Sequence, residues 1–274
     1  MIRVKFDSNV WRLAARPARF PKDPAFSSFA RIHQEICDGT VEARISETIF
    51  TLEGISRAGR REFFSKYRPR RDVQVTPAAD GGVRVSIRMG PNAAAHPGSN
   101  SFLTSHLVDA LQAGFRLIRC PRIAGVKNPD LKAAWFDQEP TGPRVEASEE
   151  VACRIEAVGA GCAVAEQIGA RYAGPDGSWF LGLGNAPAGE EAAIAAAVAE
   201  WADGDSIVAH VAYGNHFFCT RDRALSAGPT SVLSASNRAW LEQDYGVKFV
   251  LPEELVAGSG KPLGSQFDGC VTNG

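Results

Sequence analysis

Bulk charge is almost missing from this sequence: 30 Lys and Arg stand against 31 Asp and Glu, a formal net charge of −1. That balance excludes a protein that coats nucleic acid by overall charge, but it allows a local basic patch. Long hydrophobic runs are also missing. None is long enough to span a bilayer, and the N-terminus has no signal-peptide h-region, so the expectation is a cytoplasmic protein without a membrane partner. The six cysteines are Cys37, Cys120, Cys153, Cys162, Cys219 and Cys270. No two form a C-x-x-C pair, which removes a zinc ribbon or a thioredoxin motif. With no secretory signal they read as reduced thiols. The histidines are scattered, and His210 and His216 read as packed or partly exposed side chains rather than ligands. No repeat recurs at a fixed period.

The 274 residues are 45% hydrophobic, enough for a sizeable core, and they leave open one elaborated domain or two small ones. Ile2 to Phe6 alternates as a strand and ends at Asp7. Ser27 to Asp38 reads as a helix stopped by Gly39. Glu42 to Ile45 is a second strand, and Ser46 suits the cap of a helix from Glu47 to about Arg60. Val73 and Val75, then Val83, Val85 and Ile87, flank Asp80-Gly81-Gly82 and predict a β-hairpin. A helix is expected from Ser101 and a strand over Phe115 to Cys120. Residues 128–146 read as mostly irregular. Ser148 caps a predicted long helix that carries Val151, Ile155, Val158, Cys162 and Ala165 on one face. Glu190 to Trp201 is helical, and a new helix opens at Asp205 and ends at Gly214. His216 to Cys219 is a strand, a helix runs through Ala239-Trp240-Leu241, Val247 to Leu251 is the last strand, and a short helix follows Pro252. Strands alternating with helices indicate α/β: a parallel sheet covered on both faces.

Asp7, Asp205 and Asp222 each stand at a strand end or a predicted helix start. In a doubly wound sheet the carboxyl ends of the strands form the ligand crevice. Carboxylates gathered there repel one another unless a cation sits between them, and Mg2+ or Mn2+ suits oxygen ligands of this kind. Such an ion activates water and stabilises charge developing on a phosphodiester. A fourth acid is expected from the helix after the second strand, either Glu53 or Glu47. Singly, each acid reads more simply as a turn or cap residue, and their joint placement carries the argument.

Four segments carry a resemblance. Phe6-Asp7-Ser8-Asn9-Val10 resembles the Asp-Thr-Asn-Val opening of PIN-domain nucleases. Ile45-Ser46-Glu47 through Leu52-Glu53 resembles the family's strand-to-helix segment with its acid. Asp205-Ser206-Ile207-Val208-Ala209 is similar to its Asp-Ala-x-Ile-Ala helix start. Phe218-Cys219-Thr220-Arg221-Asp222 is similar to its strand ending in Thr-Arg-Asp. The order along the chain agrees as well. The resemblance implies a PIN-like three-layer α/β/α core with a central parallel sheet, and metal-dependent hydrolysis of RNA. It assigns catalytic roles to Asp7, Glu53, Asp205 and Asp222. The metal falls to Asp7, Asp205 and Asp222, and supporting roles fall to Asn9, Glu47 and Thr220. Glu53 is preferred over Glu47 because Glu47 also suits a helix N-terminus. Asp203 is the neighbouring rival to Asp205, which matches the motif better. The matching segments lie in residues 1–65 and 188–274. Residues 66–187 then read as an inserted α+β segment with the β-hairpin, shaping substrate access or a partner surface.

Arg57, Arg60, Arg61, Lys66, Arg68, Arg70 and Arg71 crowd one stretch and are expected to hold RNA phosphates; the plainer alternative is a solvated helix end and loop. Arg84 and Arg88 extend the patch along the hairpin, and Tyr67 is a candidate for base stacking. Gly182-Leu183-Gly184 with Gly189 suggests a phosphate loop, but its spacing departs from G-x-G-x-x-G. A haloacid-dehalogenase-like nucleophile at Asp7 lacks the second Asp two residues on, where Asn9 stands. The opposing functional class is a non-catalytic RNA- or partner-binding protein that keeps the fold. A homodimer is compatible with the sequence, and no segment supports an antitoxin-like protein partner.

Overall fold

The computed structural model describes residues 1–67, 69–77, 82–91, 96–120, 126–175, 177–222, 228 and 230–259. Five strands form one parallel sheet: β1 (Ile2–Phe6), β2 (Val41–Ser46), β5 (Arg116–Ile118), β6 (Phe217–Cys219) and β7 (Phe249–Val250). Their order is β5-β2-β1-β6-β7, so β1 is central. Phe6 stands level with Ile45 on one side and Cys219 on the other. The chain leaves β1 first toward β2 and later toward β6. The switch point, where parallel sheets open their ligand crevice, therefore lies between β1 and β6.

Strand alternation divides the sheet into two unlike faces. Val4, Phe6, Val41, Ala43, Ile45 and Leu117 build an apolar core with α1 (Trp11–Ala15), α2 (Phe26–Cys37) and α4 (Ser101–Ala113). The opposite face lies under α8 (Glu191–Ala212) and carries buried Lys5, Arg44 and Ser46. Around α8 pack α3 (Gly59–Lys66), α5 (Pro143–Ala157), α6 (Cys162–Ala170), α7 (Trp179–Asn185) and, by way of Leu241, α9 (Ala235–Tyr245). Leu255 of α10 (Pro252–Ser259) joins the first core. The result is a three-layer α/β/α arrangement. Among the described residues no helix is long and apolar enough to cross a membrane.

Several expectations are redrawn by tertiary contacts. The helix expected to open at Asp205 is the second half of α8, which runs unbroken through Gly204. Ser148 does not cap a helix; it is buried inside α5, where its hydroxyl donates to Val145 O at 2.7 Å. The long helix predicted after it divides into α5 and α6 at Gly159 and Gly161, whose φ angles of 77° and 60° favour glycine. After Ser46 the chain makes only a short 3-10 turn (Glu47–Ile49) before α3. The hairpin forms as β3 (Pro69–Pro77) and β4 (Val83–Pro91), with Val73 opposite Ile87 and Val75 opposite Val85. The division at 66–187 does not hold for the rest of that segment, because β5 is a strand of the central sheet and α4 packs on its first face. Among the described residues only the hairpin forms a separate sheet.

Gly182-Leu183-Gly184 is likewise no phosphate loop. It lies within α7, where the glycines permit close helix contacts. A Cβ on Gly182 would lie 1.8 Å from Gly169 O of α6, and one on Gly184 would lie 2.3 Å from Ser65 Cα of α3. Backbone cannot yield as a side-chain end can, so overpacking is costly here. Gly184→Ala is expected to lose about 1–3 kcal/mol of stability in urea unfolding; a change below about 0.5 kcal/mol would show that α7 does not rest on α3 in this way.

Candidate active site

The site starts from β1. Its register brings the Asp7 N–H to Cys219 O at 3.0 Å, so Asp7 leaves the sheet at the switch point. The carboxylate is 5% exposed and held by three donors. Ser8 N–H donates to Oδ1 at 2.7 Å, while Thr220 Oγ1 and Asn9 Nδ2 donate to Oδ2 at 2.7 and 3.1 Å. Asn9 Nδ2 also reaches Thr220 Oγ1 at 3.2 Å, and Asn9 Oδ1 accepts from Arg221 N–H at 3.1 Å. This clamp ties the end of β1 to the end of β6.

Two further acids lie within electrostatic reach of Asp7. Glu53 comes from the turns after β2, and Asp203 comes from α8. Both line a cleft of about 340 Å³ with Ser8, Arg57, Arg60 and Ala199. Burial and the neighbouring Asp7 carboxylate push Glu53 up to about 7, against the pull of Arg60, Lys5 and the Ser8 hydroxyl bonded to it. Burial, with Asp7 and Glu53 beside it, holds Asp203 well above the usual carboxylate range. Beneath them lies Lys5, fully buried on the same β1 face as Asp7. Its ammonium donates to Ser206 Oγ and sits 4.1 Å from the centre of the Phe218 ring. Burial lowers the lysine pKa, and Asp7 heads the groups that oppose this.

Three of the expected acids are not in this group. Asp205 is two residues from Asp203, about 200° round the helix at 100° per residue. It is buried on another side of α8, where it accepts from Trp201 Nε1 at 3.0 Å. Glu47 is buried under β5; it accepts from Cys120 N–H at 2.7 Å, and burial drives its carboxyl up to about 7. Asp222 does not line the cleft; it is 43% exposed, with its Oδ1 4.0 Å from Arg238 Nη2. Asp203 therefore takes the place expected for Asp205. The sequence signal for this was the 3.6-residue face Ala199, Asp203, Ser206, hidden by the apparent helix break at Gly204. Lys5 was missed because an alternating strand normally turns its charged residues to water.

Of the four described basic side chains of the stretch, Arg60 and Arg61 are committed inward. Arg60 is 5% exposed and donates to the carbonyls of Ile55 and Ala195. Arg61 donates to Ala186 O at 2.6 Å, and Lys66 pairs with Glu62. Tyr67 packs against Phe63 and Phe180 rather than standing free to stack. Arg57 is exposed and lines the cleft. Arg68 and the side chains of Arg70, Arg71, Arg84 and Arg88 lie outside the described residues. His210 is buried against Phe218, and burial and Lys5 bring it down to about 3. The five described cysteines are free.

Among the described residues no three His, Cys, Asp or Glu side chains form a ready-made metal site. The three acids nevertheless fit a hard divalent cation in donor type and charge. They offer oxygen only, and their mutual repulsion is what such an ion relieves. No protein-family model, curated protein or solved structure matches the chain.

Glu53 makes the site's charge testable. Its ordinary value is 4.5, and the fold raises it to about 7, so between those values the folded protein keeps a proton that the unfolded chain gives up. This group's contribution to stability is therefore greatest at low pH and falls as pH rises through that window, by up to about 1.4 kcal/mol per pH unit. Glu53→Gln, which cannot ionise, is expected to be more stable than wild type at pH 8 and equal to it near pH 4.5. Metal-free urea unfolding at the two pH values measures this; the same difference at both would refute the assignment.

Proposed function

We propose that the protein is a PIN-like, metal-dependent ribonuclease that hydrolyses phosphodiester bonds in RNA. The observation that carries this reading is that Glu53 and Asp203 share a cleft with Ser8, the residue next to Asp7, which ends β1 at the switch point of a parallel sheet. The four segments that resemble PIN-domain nucleases support it, because three of them contribute to the Asp7 clamp or the cleft. Asp7, Glu53 and Asp203 are the residues that would hold Mg2+ or Mn2+. When bound, the ion supplies Lewis-acid polarisation of the phosphodiester and an acidified water.

The chain's own part is arrangement. Ser8, Asn9 and Thr220 fix the Asp7 carboxylate before any ligand arrives, so little reorganisation is needed on binding. Glu53, raised to about 7, would have to give up its proton to a bound cation, which would make loading dependent on pH. Arg57, on the wall of the same cleft, is placed to meet a phosphate oxygen and hold the substrate backbone beside the acids. Asp222 and Arg238 lie 4.0 Å apart beyond the end of β6.

The test is cleavage of single-stranded RNA with Mn2+ or Mg2+. Asp7→Asn and Asp203→Asn are each expected to reduce the rate at least about 100-fold, in line with loss of one charge-stabilising group. Asp205→Asn keeps an oxygen acceptor for Trp201 and is expected to stay within ten-fold of wild type. Unchanged cleavage in Asp7→Asn would refute the mechanism. Strong loss in Asp205→Asn with little in Asp203→Asn would reverse the assignment of the α8 acid. RNA binding with no metal-dependent cleavage would favour a non-catalytic binding protein.

A further inference from the structure

The amino ends of the strands, opposite the carboxylate cleft, gather cations. Arg3 lies near the start of β1, about 13 Å along the strand from Asp7. Its Nε donates to Gly214 O at 2.8 Å, just beyond the end of α8. Arg144, near the start of α5, lays its guanidinium on the same glycine. A Cβ at Gly214 would stand 3.0 Å from Arg144 Cζ and 3.2 Å from its Nη2. Two guanidinium groups thus meet at one residue. Burial lowers the Arg3 pKa, Arg144 and Arg44 lower it further, and Glu42 opposes them. Glu42 and Asp137 are both paired with Arg44. Among the described residues no carboxylate forms an ion pair with Arg3 or Arg144.

His216, just before β6, adds a donor with no acceptor. The Arg3 backbone N–H donates to His216 Nδ1 at 3.1 Å, so the neutral ring carries its proton on Nε2. Burial and then Arg3 lower the His216 pKa, which favours that neutral ring. Nε2 stands 3.1 Å from Arg3 Nη2. A guanidinium has no lone pair to offer, so two N–H donors face each other there. An acceptor from outside the chain that both can share resolves the conflict. His216 and Arg144 are exposed, so a ligand can reach them.

We propose that Arg3, His216 and Arg144 form an oxyanion site for a phosphate group, separate from the carboxylate cleft. One phosphate oxygen accepts from both Arg3 Nη2 and His216 Nε2, and another meets the Arg144 guanidinium. Donors from three different elements suit a tetrahedral anion better than a planar carboxylate. The carbonyls at the end of α8 would repel an anion, but they are already covered. Tyr213 O accepts from Arg44 Nη1 at 3.0 Å, and Gly214 O accepts from Arg3 Nε. The site does not depend on reading the cleft as a metal centre.

The experiment is calorimetric titration of the metal-free full chain with inorganic phosphate, with ionic strength held constant by chloride. Wild type is expected to bind one phosphate. Arg144→Gln and His216→Phe are each expected to weaken it at least about ten-fold, in line with loss of one charge-assisted hydrogen bond. Arg57→Gln, on the wall of the cleft, is expected to leave it within about three-fold. Loss in Arg57→Gln with none in Arg144→Gln would place the phosphate in the cleft and overturn the proposal. Imidazole 15N NMR reads the wild type without relying on a variant that folds. The His216 Nε2–H signal is expected to shift on adding phosphate and to stay in place on adding chloride. No phosphate bound by wild type, no such shift, or unaltered binding in both site variants overturns the proposal. A single-stranded RNA oligonucleotide then identifies the source of the group. RNA binding weakened by the same two variants assigns the site to a backbone phosphate; RNA binding unchanged by them assigns it to free phosphate or a small phosphate ester. Both outcomes uphold the site. The presence or absence of RNA cleavage bears on the ribonuclease reading alone.

Discussion

The charge interior to this fold depends on a single mutual requirement. Burial lowers Lys5 and raises Glu53 and Asp203; Asp7, Glu53 and Asp203 oppose the shift of the lysine, and the lysine opposes those of Glu53 and Asp203. The sheet supplies the strand that carries Lys5 and Asp7 on one face, and α8 supplies Asp203 and Ser206. That is why the two faces of the sheet are so different. One is a conventional apolar core of Val4, Phe6, Ile45 and their partners. The other buries Lys5, Arg44, Ser46 and, from α8, Ser206 and His210.

The clamp around Asp7 follows from the same topology. Asp7 and Thr220 are over two hundred residues apart in the chain, yet they end adjacent strands and therefore meet. Asn9 joins both, and its carbonyl takes the N–H of Arg221, so hydrogen bonds tie the residues after β1 to those directly after β6. Arg221 adds a bidentate contact to Asp23. A carboxylate with this many fixed donors is preorganised, which suits a residue that must present oxygen at a constant position.

The sequence was most legible where local rules suffice. Period-two runs marked β1, β2 and the hairpin. The helix expected from Ser101 forms as α4; its caps, Asn100 accepting from Leu103 N–H and Gly114 at a φ of 108°, came from the structure. Legibility failed where distant packing decides. Gly182 and Gly184 look like punctuation, but they are contact points between helices. The Gly204 break between Asp203 and Asp205 looks like a boundary, but α8 passes through it. Gly204 fits there because it packs against Gly161, where a side chain would come within 2.9 Å of the Gly161 Cα. The crowd of arginines after Ile55 looks like a phosphate-binding surface, but Arg60 and Arg61 are largely consumed by carbonyls of their own chain.

By itself the sequence determined the α/β class, the strands that end at Asp7 and Thr220, and the expectation that acids at strand ends form a crevice. Alternation and capping are local, so a single chain segment contains enough information to reveal them. Only the tertiary structure decided which acid of α8 faces Asp7, that Glu47 belongs under β5, and that Lys5 turns inward. Each of these depends on the rotation of one element against another. A step of one residue turns a helix by 100°, so the choice between Asp203 and Asp205 belongs to the packing of α8 on the sheet and not to the composition of either segment.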